Sequence, residues 1–129
     1  MADYAKLVVK GIYSKSSDYS DPKVTFNPAA YALSGDEYFH AQIDADTGAS
    51  GGEVIDTGTF AGGVSLAMVK NNDAATSVTV QFENSFSTAI SIIVPAGGIM
   101  VTPDLLYTEN LLLIAASGTV ECEVLIIGT

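Results

Sequence analysis

His40 is the only histidine in the chain and Cys122 the only cysteine. A histidine acts as a general base when a nucleophile stands within reach and a third group orients the ring. In an extended stretch His40 shares one face with Tyr38 and Gln42. Its nearest carboxylates in sequence, Asp36 and Glu37, do not single out a partner for it. The pattern reads as a surface or boundary histidine. Cys122 sits between Glu121 and Glu123, whose side chains point the opposite way in a strand. Negative neighbours raise a thiol pKa, the reverse of activation, so Cys122 reads as a small core residue. Alone, it forms no intrachain disulfide and implies no oxidising compartment.

The remaining candidates for chemistry are short oxygen-rich or glycine-rich stretches. Asp44-Ala45-Asp46-Thr47-Gly48 resembles the start of a calcium loop, but the glycine comes one place early and no helices flank it. It reads as a solvated loop, in which a hard cation would have only Asp44, Asp46 and a carbonyl. Asn71-Asn72-Asp73 suits a tight turn for conformational reasons alone. Gly97-Gly98 is followed by neither Lys-Ser/Thr nor a helix, so it suits a hairpin corner with positive φ rather than a phosphate loop. There is no tryptophan for sugar stacking, although Tyr4, Tyr13, Tyr19, Tyr31, Tyr38 and Tyr107 offer substitutes. The expectation is a non-enzymatic protein with no metal and no cofactor.

The elements that hold these residues are strands. Between Glu53 and Thr129 five stretches rich in Val, Ile, Leu and Thr recur: Val64–Lys70, Thr76–Phe82, Ala89–Val94, Leu111–Ser117 and Thr119–Ile127. Asn71-Asn72-Asp73, Asn84-Ser85, Pro95-Ala96-Gly97-Gly98, Pro103-Asp104 and Ser117-Gly118 separate them. Short strands with such punctuation predict a sandwich or barrel. Upstream, Tyr4–Tyr13, Val24–Phe26, Glu37–Ile43 and Val54–Phe60 read as strands. Ser14–Asp21 reads as a polar loop, Pro28–Leu33 as one helical turn or a loop, and Asp44–Gly52 as the most flexible stretch. The fold class expected is all-β: a single antiparallel β-sandwich, jelly-roll-like, of about eight short strands. Immunoglobulin-like strand orders fit equally well. The expected organisation is one domain over 1–129 with an N-terminal strand or arm over 1–23.

Val78, Val80 and Phe82 share a face, as do Val64, Leu66 and Met68, which predicts strands buried on one side. Ile92-Ile93-Val94, Leu111-Leu112-Leu113-Ile114 and Leu125-Ile126-Ile127 are apolar on both sides. A two-layer sandwich covers one face of each sheet, so loops, the N-terminal arm or another subunit must cover the rest. Large apolar patches usually mark contacts, and a homo-oligomer is expected.

Charge narrows the partners. The chain of 129 residues carries a formal charge of -10, and all five of its basic residues are lysines. Arginine, the preferred residue for bidentate phosphate recognition, is absent. A field of this sign repels nucleic acid and anionic membranes. With 48% hydrophobic residues and a mean hydropathy of +0.35, the chain has enough apolar surface for a core. No stretch approaches the roughly 20 apolar residues of a membrane helix, and Leu7-Val8-Val9 is too short for a signal-peptide core, so synthesis in a cytoplasm is expected. Lys6, Lys10, Lys15 and Lys23 gather at the N-terminus, where they would grip an acidic neighbour or guard a strand edge.

Three stretches in series carry a resemblance: Val69-Lys70-Asn71-Asn72-Asp73, Ser77-Val78-Thr79-Val80-Gln81-Phe82, and Ile93-Val94-Pro95-Ala96-Gly97-Gly98-Ile99-Met100-Val101. With the closing Glu121-Cys122-Glu123-Val124-Leu125-Ile126-Ile127-Gly128, they resemble small β-sandwich structural proteins of tailed bacteriophage virions. The resemblance spans residues 64–128 and is one of style, without a diagnostic motif. It implies a capsid decoration or cement protein, often a trimer, that binds the major capsid protein at capsomer junctions and stiffens the shell. Its place would be the virion, after synthesis in the host cytoplasm. On that reading Lys6, Lys10, Lys15 and Lys23 form the partner-binding arm, and Leu111, Leu113, Leu125 and Ile127 serve subunit packing. The rival expectations are a receptor- or glycan-binding tail or fibre module, and a neck or tail ring component.

Overall fold

The structure is a computed structural model that describes residues 5–14, 16–18, 20, 22–26, 31–33, 37–57, 60, 63–84, 87–105 and 110–129. Its contacts cluster into two units, Met1–Leu33 and Ser34–Thr129. The sequence reading has one domain over 1–129 with an N-terminal strand or arm over 1–23.

The first unit holds β1 (Ala5–Leu7), β2 (Gly11–Ser14), β3 (Pro22–Phe26) and β4 (Tyr31–Leu33). β1 pairs antiparallel with β4, and β2 with β3, as separate two-stranded sheets. The single strand expected over Tyr4–Tyr13 is therefore two strands, broken at residues 8–10. Tyr31–Leu33, expected as a helical turn or loop, is a strand, because its backbone finds a ladder partner in Ala5–Leu7. Local sequence carries no trace of that distant partner.

The second unit holds β5 (Glu37–Ala45), β6 (Glu53–Asp56), β7 (Val64–Asn71), β8 (Val78–Asn84), β9 (Ser87–Val94), β10 (Ile99–Leu105), β11 (Asn110–Ala115) and β12 (Val120–Gly128). They form two four-stranded antiparallel sheets, β10-β7-β12-β5 and β6-β11-β8-β9. The pairing is nested: β8 with β9, β7 with β10, β6 with β11 and β5 with β12. The unit is thus one long antiparallel hairpin, rolled so that successive pairs fall on alternate sheets.

Alternation builds the core between the sheets. In β12, Val120, Cys122, Val124 and Ile126 are buried, while Glu121 is exposed and Glu123, Leu125 and Ile127 are half-buried. Val78, Val80, Phe82, Leu111 and Leu113 meet them from the other sheet. Each such side chain stabilises the fold by roughly 1.5–3 kcal/mol relative to exposure. In β7 the inward residues are Ala67, Val69 and Asn71, whereas Leu66 and Met68 lie on the opposite side of the sheet, where Leu66 is buried and Met68 half-buried. The expected Val64-Leu66-Met68 face is therefore corrected: the register shifts between Ile127 and Gly128, and this returns Val64 to the core.

Three connections also depart from expectation. β9 and β10 belong to different sheets, so Pro95-Ala96-Gly97-Gly98 crosses the sandwich instead of closing a hairpin; Gly97 takes φ 69° there. Pro103 lies inside β10 rather than in a turn. That strand is an edge, the position where a missing N–H is tolerated. The stretch after β5 is ordered as well: Asp44 and Ala45 belong to the strand and Gly48–Ser50 forms a 3-10 turn. Ala115 N donates to Asp46 O at 2.8 Å, which joins the two sheets at this corner.

Asn71 is the central polar residue of the interior. Its Nδ2 donates to the carbonyls of Thr76 (2.8 Å), Val94 (3.2 Å) and Pro95 (3.1 Å), and its Oδ1 accepts from Asp73 N at 2.9 Å. It ties the β7–β8 connection to the β9–β10 crossing. The Asp73 carboxylate accepts from the N–H groups of Ala75 and Thr76, which hold its pKa below the ordinary carboxylate value.

Candidate functional site

Among the described residues, the outer face of the β10-β7-β12-β5 sheet carries charged, imidazole, aromatic and aliphatic side chains together. The register sets its rows. Ile99, Lys70, Glu123 and Gln42 lie side by side; next come Val101, Met68, Leu125 and His40, and then Leu66, Ile127 and Tyr38. Ile99 and Tyr38 are 59% and 75% exposed. Strand pairing alone brings these residues together, since side chains of period two stand in rows across neighbouring strands.

His40 lies diagonally across from Glu123, and its Nε2–H donates to Glu123 Oε1 at 3.2 Å. The two side chains are 53% and 45% exposed, a setting in which an ion pair is worth about 0.2–1 kcal/mol. Beside them is a shallow depression of about 130 Å³, lined by His40, Met68, Lys70, Ile99, Glu123 and Leu125. Its floor is apolar and its rim holds one carboxylate, one ammonium and one imidazole. No hydroxyl or thiol lies among those residues, so the depression offers mixed polar and apolar surface and brings no side-chain nucleophile to His40.

The expectation that the chain has no Gly-x-Ser-x-Gly is wrong: Gly48-Ala49-Ser50-Gly51-Gly52 is one. A nucleophile elbow needs a strand-to-helix turn with its base alongside. Here the motif forms the exposed 3-10 turn between β5 and β6, and His40 is engaged with Glu123 on the sheet face. Gly52, at φ 67°, lies so close to β11 that a Cβ there would stand 2.8 Å from Leu113 O. Gly52 serves that close approach, and Gly51, at φ 91°, closes the 3-10 turn in the left-handed conformation.

Cys122 is fully buried, and its thiol is pushed up to about 11 by burial, with Asp44 and Glu121 adding to the rise. Asp44 stands opposite Glu121 on the outer face, and Asp46 accepts from Thr119 Oγ1 at 3.3 Å. Among the described residues no three His, Cys, Asp or Glu side chains gather where they could hold a metal ion.

The sequence-derived interface residues divide. Leu111 and Leu113 are 1% and 0% exposed and fill the core, which corrects their assignment to subunit packing; the residues of β11 on the outer side are Leu112 and Ile114. Leu125 and Ile127 do lie on an outer face. Lys6 and Lys10 are exposed, Lys15 lies outside the described residues, and Lys23 falls in β3. Tyr4, Tyr19 and Tyr107 lie outside the described residues, as do Asp36 and Ser85. The sequence places Glu123 only as a neighbour of Cys122, Met68 only on a buried strand face and Asn71 only in a tight turn, and gives none of them a role in a site. The inward parity of Ala67 and Val69, carried two residues on, was the available signal for Asn71.

Comparison with protein-family models, with curated proteins and with solved structures gives no match to this chain. What the molecule is therefore rests on its own geometry: an all-β protein whose larger unit is a two-sheet sandwich with a mixed-chemistry outer face.

Proposed function

We propose that this chain is a non-enzymatic structural protein of a virion, of the capsid decoration or cement type, that works by burying surface against an assembled shell. The observation that carries the reading is the outer face of the β10-β7-β12-β5 sheet, where exposed Tyr38 and Ile99 flank Met68, Leu125 and the His40–Glu123 pair. Tyrosine and methionine are favoured interface residues. The nested pairing supports a jelly roll, an architecture used by viral capsid and lectin domains. It departs from the ABED/CFG order of immunoglobulin domains. Because one fold serves many functions, the weight lies on the sheet face and on the resemblance of residues 64–128 to phage structural modules. In this reading the protein binds the major capsid protein at capsomer junctions and associates with copies of itself, as a trimer.

Co-sedimentation with preassembled phage shells tests the proposal. Saturable retention at a fixed ratio to capsomer junctions is the expected result, and its absence overturns the proposal. Retention on a glycan array without shell binding moves the protein to the second reading, a receptor-binding fibre module. That reading is favoured by the same strand order and by the polar rim of the depression.

A further inference from the structure

We infer that the segment Lys6-Leu7-Val8-Val9-Lys10 of one copy seats on the outer face of the β10-β7-β12-β5 sheet of a second copy. The inference rests on the self-association proposed above and names its two surfaces.

The segment presents an apolar pair between two cations. Val8 and Val9 are 61% and 43% exposed, in the connection between β1 and β2, and Lys6 and Lys10 are exposed at either end. Adjacent β-branched side chains left in water between two lysines suit a docking segment, since their burial on a partner recovers free energy that the isolated chain forgoes.

The receiving face is complementary in shape and charge. The depression of about 130 Å³ over Met68 and Leu125 is large enough for a branched aliphatic side chain. Around it the outer face carries Glu121, Glu123 and Asp44 against Lys70, a formal -2 that Lys6 and Lys10 would balance. Glu121 stands directly opposite Asp44, and like charges so placed destabilise a sheet. Cations arriving from outside relieve that repulsion. The same asymmetry runs through the whole chain. The first unit has four lysines against Asp3, Asp18 and Asp21, while the second has twelve carboxylates against Lys70; the formal charges are +1 and -11, together the -10 of the chain. Two second units repel one another, whereas a first unit and a second unit attract. A contact between such unlike patches is heterologous, the kind that closes into rings such as trimers.

The test is the mass in solution, across concentration and salt, of wild type, K6E/K10E, V8D and the combined K6E/K10E/D44K/E121K. All five substituted positions are exposed, so thermal melts should stay near wild type. The expected result is association that salt weakens. K6E/K10E should weaken it about tenfold, V8D roughly tenfold to a hundredfold, and the combined charge exchange should restore it. A photo-crosslinker at position 8, in a mixture of two isotopic forms, should label the β7 or β12 peptide of the other form. Wild type that stays monomeric at every concentration overturns the inference, as does crosslinking within one chain. Association unmoved by K6E/K10E and V8D also overturns it but leaves the assembly reading standing; loss of shell binding by wild type is the separate failure that removes that reading.

Discussion

Two polar clusters lie on opposite faces of the β10-β7-β12-β5 sheet. Inside, Asn71 is fully buried and every polar atom of its side chain is engaged, three times as a donor and once as an acceptor. Outside, His40 and Glu123 share a single contact of 3.2 Å at about half exposure. A hydrogen bond away from water that loses its partner leaves a desolvated group with nothing to replace it, whereas water replaces the partner of an exposed group. The interior cluster therefore holds the two sheet-crossing connections together. The exterior one adds little to stability. Polar residues in the same sheet thus take opposite roles according to which side of a single pleat they occupy.

The strongest way to break this contrast is at Asn71. Asn71→Ala should destabilise the second unit by about 3–4 kcal/mol in denaturant unfolding, because carbonyls of Thr76, Val94 and Pro95 lose a donor and the Asp73 N–H loses its acceptor. A loss below 1 kcal/mol would mean that water reaches the cluster.

Cys122 extends the test to the inner face through pH. Its thiol binds its proton more tightly when folded, with a pKa of about 11 against the ordinary 9.0. Between those values the folded state holds more protons than the unfolded state, so stability falls as pH rises. The loss is of order 2–3 kcal/mol by pH 11. Cys122→Ala should flatten that part of the pH profile, and the wild-type thiol should react with a disulfide reagent only on unfolding.

Gly52→Ala should cost about 2 kcal/mol, measured as a lowered denaturation midpoint, since the position combines positive φ with the close approach to Leu113 O. The smallest effect belongs to the outer cluster. His40→Ala and Glu123→Gln should each change stability by less than about 0.5 kcal/mol, yet should weaken retention on shells. A large stability loss at either position would collapse the distinction between the two faces.

How far each of these roles is legible in the chain depends on the parity of its strand. In β12 the polar residues Glu121 and Glu123 mark the outer side, so Cys122 and Val124 are assigned to the core without a structure. The Leu111–Ile114 run offers no such marker. With four apolar residues in succession either parity is allowed, and Leu111 and Leu113 read as interface residues although they are interior. β7 misleads for the same reason, because Ser65-Leu66-Ala67-Met68-Val69 has apolar residues on both sides and a register shift at its start.

That the protein is all-β, strongly acidic and uneven in its placement of lysines can be read along the chain, because composition and period two are local properties. Tertiary structure alone decided the nested strand order, the two-unit division and the choice of inward parity in the two-sided strands. It alone joined His40 to Glu123 across the β5–β12 ladder and Asn71 to the crossing at Pro95. These depend on contacts between residues far apart in the chain, and a pattern read along the chain carries no term for which strand will come to lie beside it.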